Sequence, residues 1–121
     1  MKVPSFVLKR LYVKNSLKNT DTGFEFVIKN TLTDATITSS LTLTVDNRVI
    51  PPGHVDITSG STSVSAADIS EKTALPLKID KEVRISVKGK NLSPGEHEIE
   101  IAASTKEYGD IKFSVRDSLV Q

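Results

Sequence analysis

The stretch from Val83 to Asp117 constrains the fold most, because its apolar residues recur at every second position through three consecutive runs. A period of two is typical of a β-strand that buries one face and exposes the other. The segments GKNLSPG and TKEYGD separate the three runs and predict turns. The stretch therefore predicts three strands whose odd-numbered residues face the core. These are Val83, Ile85, Val87, Ile99, Ile101, Ala103, Ile111, Phe113 and Val115.

The last two of these strands form a predicted hairpin, whose register must keep the odd-numbered residues inward. Either Phe113 or Val115 opposite Ile101 meets this condition. In the register that pairs Ile101 with Phe113, His97 lies opposite Asp117 at the rim of the fold. A carboxylate beside a histidine favours the imidazolium form and raises its pKa. We therefore predict His97 and Asp117 as a candidate polar contact.

Earlier runs in the chain have the same period. Residues 24–30 (FEFVIKN) and 35–45 (ATITSSLTLTV) predict core strands, and Asp46-Asn47 predicts a two-residue hairpin turn. We predict an all-β fold, a two-sheet antiparallel immunoglobulin-like β-sandwich of about seven to nine strands with little or no helix. It should form a single domain over residues 1–121. The predicted core also includes Phe24, Phe26, Ile28, Leu41, Leu43 and Val45.

The charge balance argues against two classes of partner. Lys and Arg number 16 against 15 Asp and Glu, with no long run of either sign, so neither nucleic acid nor a membrane surface is indicated as a partner. The chain has no cysteine, which excludes disulfides and thiolate metal sites. Its first residues lack the long apolar run of a signal peptide. We therefore expect an unexported, cytoplasmic protein.

The segment from Ser5 to Val13 predicts a strand with two apolar faces. Alternate positions are apolar on both parities, and a two-layer sandwich covers only one face of a strand. One interpretation is a strand trapped between its own sheet and loops. The other is an edge strand that another chain covers. The candidate interface residues are Phe6, Val7, Leu8, Leu11, Tyr12 and Val13.

Few residues in this chain are candidates for catalysis or metal binding. Only His54 and His97 could serve as neutral bases near physiological pH, and neither lies in a known catalytic motif. His54 and Asp56 share a parity, but two ligands do not make a metal site. Three glutamates at positions 96, 98 and 100 form a row that we interpret as a solvated strand face. We assign no catalytic, cofactor-binding or metal-binding residue.

Four sequence patterns carry a resemblance to a known family. They are NSLKNTDTGFEF in residues 15–26, VDNRVIPP in 45–52, LSPGEHEIEI in 92–101 and GDIKFSVRDSL in 109–119. Together they resemble the small β-sandwich subunit family of bacterial C-glycoside deglycosylating enzymes. The resemblance implies a larger barrel-type catalytic subunit as partner, which holds a divalent metal such as manganese and cleaves the carbon–carbon bond between sugar and aglycone.

Three functions are compatible with these observations. The favoured one is a non-catalytic small subunit that docks on and supports such a metal-dependent enzyme of carbohydrate metabolism. The second is a self-associating immunoglobulin-like binding module without enzymatic activity, which alone would be a defined homo-oligomer or a monomer that binds a ligand. The third is a stand-alone enzyme that uses His54 or His97.

Overall fold

The computed structural model describes residues 3–119 as an all-β sandwich of two antiparallel sheets. Short helical segments occupy Ser5–Leu8 (α1), Lys9–Leu11, Pro52–His54 and Ala66–Asp68, the last three as 3₁₀ turns. The strands are β1 (Lys18–Thr20), β2 (Gly23–Lys29), β3 (Ala35–Ile37), β4 (Thr42–Val45), β5 (Arg48–Ile50), β6 (Val55–Ser59), β7 (Thr62–Ser65), β8 (Leu75–Leu77), β9 (Glu82–Lys88), β10 (Gly95–Thr105) and β11 (Gly109–Leu119).

The strand count exceeds the seven to nine predicted, since eleven strands lie within residues 3–119. Four of them, β1, β3, β5 and β8, have only three residues. Part of the excess arises because residues 35–45, predicted as one strand, form β3 and β4 with residues 38–41 between them. The prediction of two antiparallel sheets is confirmed.

The first sheet has the strand order β1-β2-β9-β6-β7. Its centre is the pairing of β2 with β9, in which Phe26 faces Ile85 and Phe24 faces Val87. Apolar residues on the same face of neighbouring strands give this sheet one continuous inner surface.

The second sheet has the order β5-β4-β10-β3-β8, with β11 on the other side of β10. The β10–β11 hairpin pairs Ile101 with Phe113 and His97 with Asp117, which is the first of the two registers that the sequence allowed. The turn between β4 and β5 is also confirmed, since Val45 pairs with Arg48 across Asp46-Asn47. Asp46 and Asn47 both have positive φ, 51° and 68°, as a type I′ turn requires.

The core lies between the two sheets and draws on both of them. All the predicted core residues are buried except Ile111 and Val115, which are half-buried. Both lie on β11, where only one side of the strand has a β neighbour in the sheet. Phe26 and Leu43 are among the residues with no exposed surface.

The prediction of a strand from Ser5 to Val13 is wrong. The segment forms α1 and a 3₁₀ turn, then joins the first sheet through a single bridge from Tyr12 to Ile28. Leu8, Leu11 and Tyr12 are buried, and their spacing of three and four residues is that of one helical face. The segment packs along β11 and reaches β2, so it closes one open side of the sandwich.

Within residues 3–119 no helix has both the length and the apolar character that a membrane span requires.

Candidate functional site

His97 lies at one end of the sandwich, near the start of β10 and just after the loop from β9. β4 pairs with β10, so the tight β4–β5 turn, which carries Asp46, lies next to His97. Strand parity directs His97 toward the core face, and its side chain is only 8% exposed. The β9–β10 loop, which connects the two sheets, and the β4–β5 turn of the second sheet therefore meet at this histidine.

Both ring nitrogens of His97 have acceptors within hydrogen-bond distance. Nδ1 lies 2.6 Å from Oδ2 of Asp46, and Nε2 lies 2.7 Å from the carbonyl oxygen of Ser93. A carbonyl oxygen can only accept, and an ionised carboxylate can only accept, so the arrangement favours a ring that is protonated on both nitrogens. The second oxygen of Asp46 accepts from the backbone N–H of Glu98 at 2.9 Å. The imidazolium thus bridges the two loops.

These contacts move the pKa values of both partners. The hydrogen bond to Asp46, followed by that to the Ser93 carbonyl, raises the pKa of His97 above its usual value. The same bond to His97, followed by the Glu98 N–H, lowers the pKa of Asp46. The contacts therefore favour the charged form of both groups, as in a structural ion pair.

The predicted side-chain contact between His97 and Asp117 is wrong, although the two residues do face each other in the hairpin. Oδ2 of Asp117 instead accepts from the hydroxyl of Tyr12 at 2.7 Å and from the backbone N–H of Leu17 at 3.4 Å. β10 has β11 on one side and β4 on the other. The prediction considered only the β11 side of β10. The acid that binds His97 lies on the β4 side.

Tyr12 and Asp117 tie the N-terminal segment to the end of β11. Both are buried, at 7% and 8% exposure. Burial, together with the hydrogen bond to Asp117, raises the pKa of the Tyr12 hydroxyl far above its usual value. The Tyr12 ring also packs on Phe26, with 5.6 Å between ring centroids. Tyr12 is therefore a structural anchor of the chain's own sandwich.

The candidate interface residues divide between the interior and the surface. Leu8, Leu11 and Tyr12 are buried, Val7 and Val13 are half-buried, and Phe6 is 69% exposed. Beside α1 lies an apolar cleft of about 160 Å³. We define the N-terminal face as Phe6 together with the half-buried apolar border of this cleft, which comprises Val3, Val7, Leu32, Tyr108 and Ile111.

Comparison with known proteins places the chain in a family. The family model described as hydroxymethylglutaryl-CoA reductase, N-terminal domain, matches residues 7–120. The chain belongs to this family. No curated protein matches the chain.

Membership in the hydroxymethylglutaryl-CoA reductase N-terminal domain family overturns the resemblance to C-glycoside deglycosylating enzymes, and with it the predicted role in C-deglycosylation. The four patterns that carried the resemblance fall mainly on strands and the turns between them. Such patterns follow from β-sandwich geometry and do not distinguish families that share it. The manganese expected in a barrel-type partner stays a prediction, which this chain does not test.

The remaining candidate residues make ordinary surface contacts. His54 ends a 3₁₀ turn and is exposed, while Asp56 pairs with Lys88 at 3.7 Å. The three glutamates of β10 pair with basic residues of β11, as in the 2.9 Å contact between Glu96 and Arg116. Within residues 3–119 no three His, Cys, Asp or Glu side chains come together as a metal site would require.

Sequence reasoning missed Asp46 as the partner of His97. The signal for a tight turn at Asp46-Asn47 was present, but it was interpreted only as backbone geometry. Asp at a turn supplies a carboxylate at a sheet end, where it can reach a neighbouring strand. Strand order is needed to know which neighbour that is, and a single sequence does not contain it.

Proposed function

We propose that this β-sandwich is a non-catalytic module of a hydroxymethylglutaryl-CoA reductase-type enzyme, and that it docks on a larger catalytic chain through the N-terminal face. The family is described as an N-terminal domain, which supports a role next to a further protein domain or chain. The observation that carries the docking proposal is Phe6, which lies on α1 with 69% of its surface exposed and is followed in the chain by Val7, a residue that lines the apolar cleft.

The energetics of Phe6 support this role. Fully burying a phenylalanine side chain contributes about 1.5–3 kcal/mol. Since roughly two-thirds of Phe6 is still exposed, a partner that covers it gains about 1–2 kcal/mol. Aromatic residues, phenylalanine among them, are enriched at protein interfaces. Within residues 3–119 the other exposed large apolar residues are Val49 and Ile79, which are aliphatic and smaller than phenylalanine.

The chemistry of the histidines supports a non-catalytic role. Both ring nitrogens of His97 are bound to groups of the chain itself. A general base needs a free nitrogen within reach of the proton that it removes. His97 would have to break the bond to Asp46 or to Ser93 before it could act. The positive charge on the His97 ring serves instead to join the β4–β5 turn to the β9–β10 loop.

The strand order supports the immunoglobulin-like class as part of the same proposal. An immunoglobulin constant-type sandwich has strands A, B, E and D in one sheet and C, F and G in the other. Taking β1, β2, β4, β6, β9, β10 and β11 as A to G reproduces both orders, with the remaining strands as additions. A cytoplasmic location is also part of the proposal, in keeping with a chain that contains no cysteine.

The test is co-expression with the catalytic region of a hydroxymethylglutaryl-CoA reductase from the same organism, followed by size-exclusion chromatography with light scattering. We expect a joint complex, which Phe6→Ser weakens about five- to thirtyfold, the factor to which a loss of about 1–2 kcal/mol corresponds. The matched control is Val49→Ser, because Val49 is 67% exposed on the edge strand β5. This control should leave the complex intact.

Two results would overturn the proposal. One is a chain that stays monomeric both alone and with the catalytic region. The other is an equal loss of binding in Phe6→Ser and Val49→Ser. A stable homo-oligomer in which Phe6→Ser dissociates the copies would instead assign the N-terminal face to self-association and reject the catalytic partner.

A further inference from the structure

A second cleft, of about 560 Å³, opens at the end of the sandwich that carries His97. We name it the end cleft. The β4–β5 turn and the loop between β9 and β10 form its walls, and its floor is apolar, with Phe24, Val45, Ile50, Val87 and Leu92. Its volume falls in the range of about 300–1,000 Å³ that is typical of small-molecule sites. The N-terminal face lies at the other end of β10, near Thr105.

The rim of the end cleft is basic. Arg48, Lys88 and Lys90 line it, and Asp46 is the one acidic residue among its lining. Asp46 is bound to His97, and Lys88 is paired with Asp56, which lies outside the cleft. Among residues 3–119, neither Arg48 nor Lys90 has a carboxylate within 4.0 Å. Two cations therefore face a cleft whose own acid is already neutralised.

This combination of floor and rim selects one kind of ligand. An apolar floor removes a hydrocarbon or aromatic body from water, at about 25 cal/mol for each Å² buried. An arginine and a lysine at the border attract an anionic head group, and arginine binds carboxylate or phosphate oxygens in a bidentate manner. A bare anion gains nothing from the floor, and a neutral hydrocarbon gains nothing from the rim.

We propose that the end cleft binds a small amphipathic anion, with an apolar body on the floor and a single carboxylate or phosphate group between Arg48 and Lys90. The site is separate from the docking proposal, because the N-terminal face lies about eight residues, or roughly 27 Å, away along β10. A bound head group places its negative charge near His97 and so stabilises the imidazolium further.

The test is a ¹⁵N-resolved NMR titration of the whole chain with four probes: octanoate, octyl phosphate, octanol and inorganic phosphate, each below its aggregation limit. We expect saturable shifts at the end cleft with octanoate, octyl phosphate or both, and at least tenfold weaker binding of octanol and inorganic phosphate. The two anionic probes distinguish a carboxylate ligand from a phosphate ligand. The apparent pKa of His97 should rise when the anionic probe is bound.

The double variant Arg48→Gln/Lys90→Gln should bind the anionic probe at least tenfold more weakly. Its matched control is Lys106→Gln/Lys112→Gln, which removes the same charge from exposed positions on the β10–β11 turn and β11. The control should change binding less than twofold. Equal weakening by both double variants would mean that net charge alone attracts the probe and would overturn the proposal. Equal affinity for octanol and octanoate, or shifts confined to other surfaces, would overturn it as well.

Discussion

Removing the Tyr12 hydroxyl tests whether the N-terminal segment is an integral part of the sandwich. In Tyr12→Phe the ring keeps its packing on Phe26, and only the 2.7 Å bond to Asp117 is lost. Asp117 is 8% exposed, so water cannot easily replace the missing donor. The substitution therefore isolates one buried contact between residues that are 105 positions apart in the chain.

The expected loss follows from the partners that Asp117 retains. A hydrogen bond to a charged group contributes about 1.5–3 kcal/mol, and removing one donor leaves its acceptor poorly solvated. The carboxylate still accepts from the backbone N–H groups of Leu17 and Ser118, at 3.4 and 2.8 Å. We therefore expect the lower half of that range, about 2 kcal/mol. For a chain of this length that corresponds to a decrease in Tm of about 8 °C.

Urea unfolding at pH 7 and thermal unfolding measure the effect, and Tyr108→Phe is the matched control. Tyr108 is the other tyrosine of the chain, is half-buried, and its hydroxyl makes no hydrogen bond within the part of the chain that the structure describes. We expect its replacement to change stability by less than about 0.5 kcal/mol. In a spectrophotometric titration, the late-ionising tyrosine of the parent should disappear in Tyr12→Phe and remain in Tyr108→Phe. Equal stability of the two variants would refute the role assigned to Tyr12.

Three further predictions concern stability. In Gly23→Ala the new methyl group would overlap a backbone carbonyl of β9, so we expect a loss of about 1–3 kcal/mol in urea unfolding, against less than about 0.5 kcal/mol for Gly53→Ala, where the space is open. Phe26→Ala should cost about 3–5 kcal/mol, because the ring is fully buried; a loss below 1 kcal/mol in calorimetry would contradict the assigned core. The raised pKa of His97 adds stability that is complete below about pH 6.5 and is lost as the pH rises through the folded-state pKa. The lowered pKa of Asp46 adds stability that is present above about pH 3.9 and is lost as the pH falls, so the pair should contribute most between these limits, and His97→Gln should flatten the profile of stability against pH.

The strands that the sequence predicted well are those whose pattern is local. From Val83 to Asp117, alternation alone identified the inward residues, because a strand buried on one face repeats every two residues whatever its neighbours are. The same rule limited the hairpin register to Ile101 opposite Phe113 or Val115, since a slip by one residue would bury Lys112, and the structure has the first of these. Asp46-Asn47 folded as a tight turn without glycine, because Asp and Asn tolerate positive φ.

The prediction for the N-terminal segment was wrong for a different reason. Leu8, Leu11 and Tyr12 have helical spacing, but Phe6, Val7 and Val13 fill the positions between them and hide it. Over nine residues both periods fit, and short apolar runs are ambiguous between helix and strand. What decides the outcome is the gap between β11 and β2, which the segment fills. The prediction of the partner of His97 was wrong for a similar reason, since Asp46 lies in a turn 51 residues away in the chain.

The burial of this segment also changes how its docking role must be tested. A strand would place Phe6 and Leu8 on one face, yet Leu8 is 3% exposed and Phe6 is 69% exposed. A double substitution of that pair would remove a core residue and a surface residue together, and lost binding could then reflect unfolding. Single substitutions separate the two: Leu8→Ser should lower stability by about 2–5 kcal/mol, whereas Phe6→Ser should leave it within about 0.5 kcal/mol. Stable interfaces bury about 800 Å² on each partner, several times what Phe6 offers. Phe6 is therefore the anchor of a larger contact, and we expect Phe6→Ser to speed dissociation of the complex measured by surface plasmon resonance; an unchanged dissociation rate in a folded variant would reject it as the anchor.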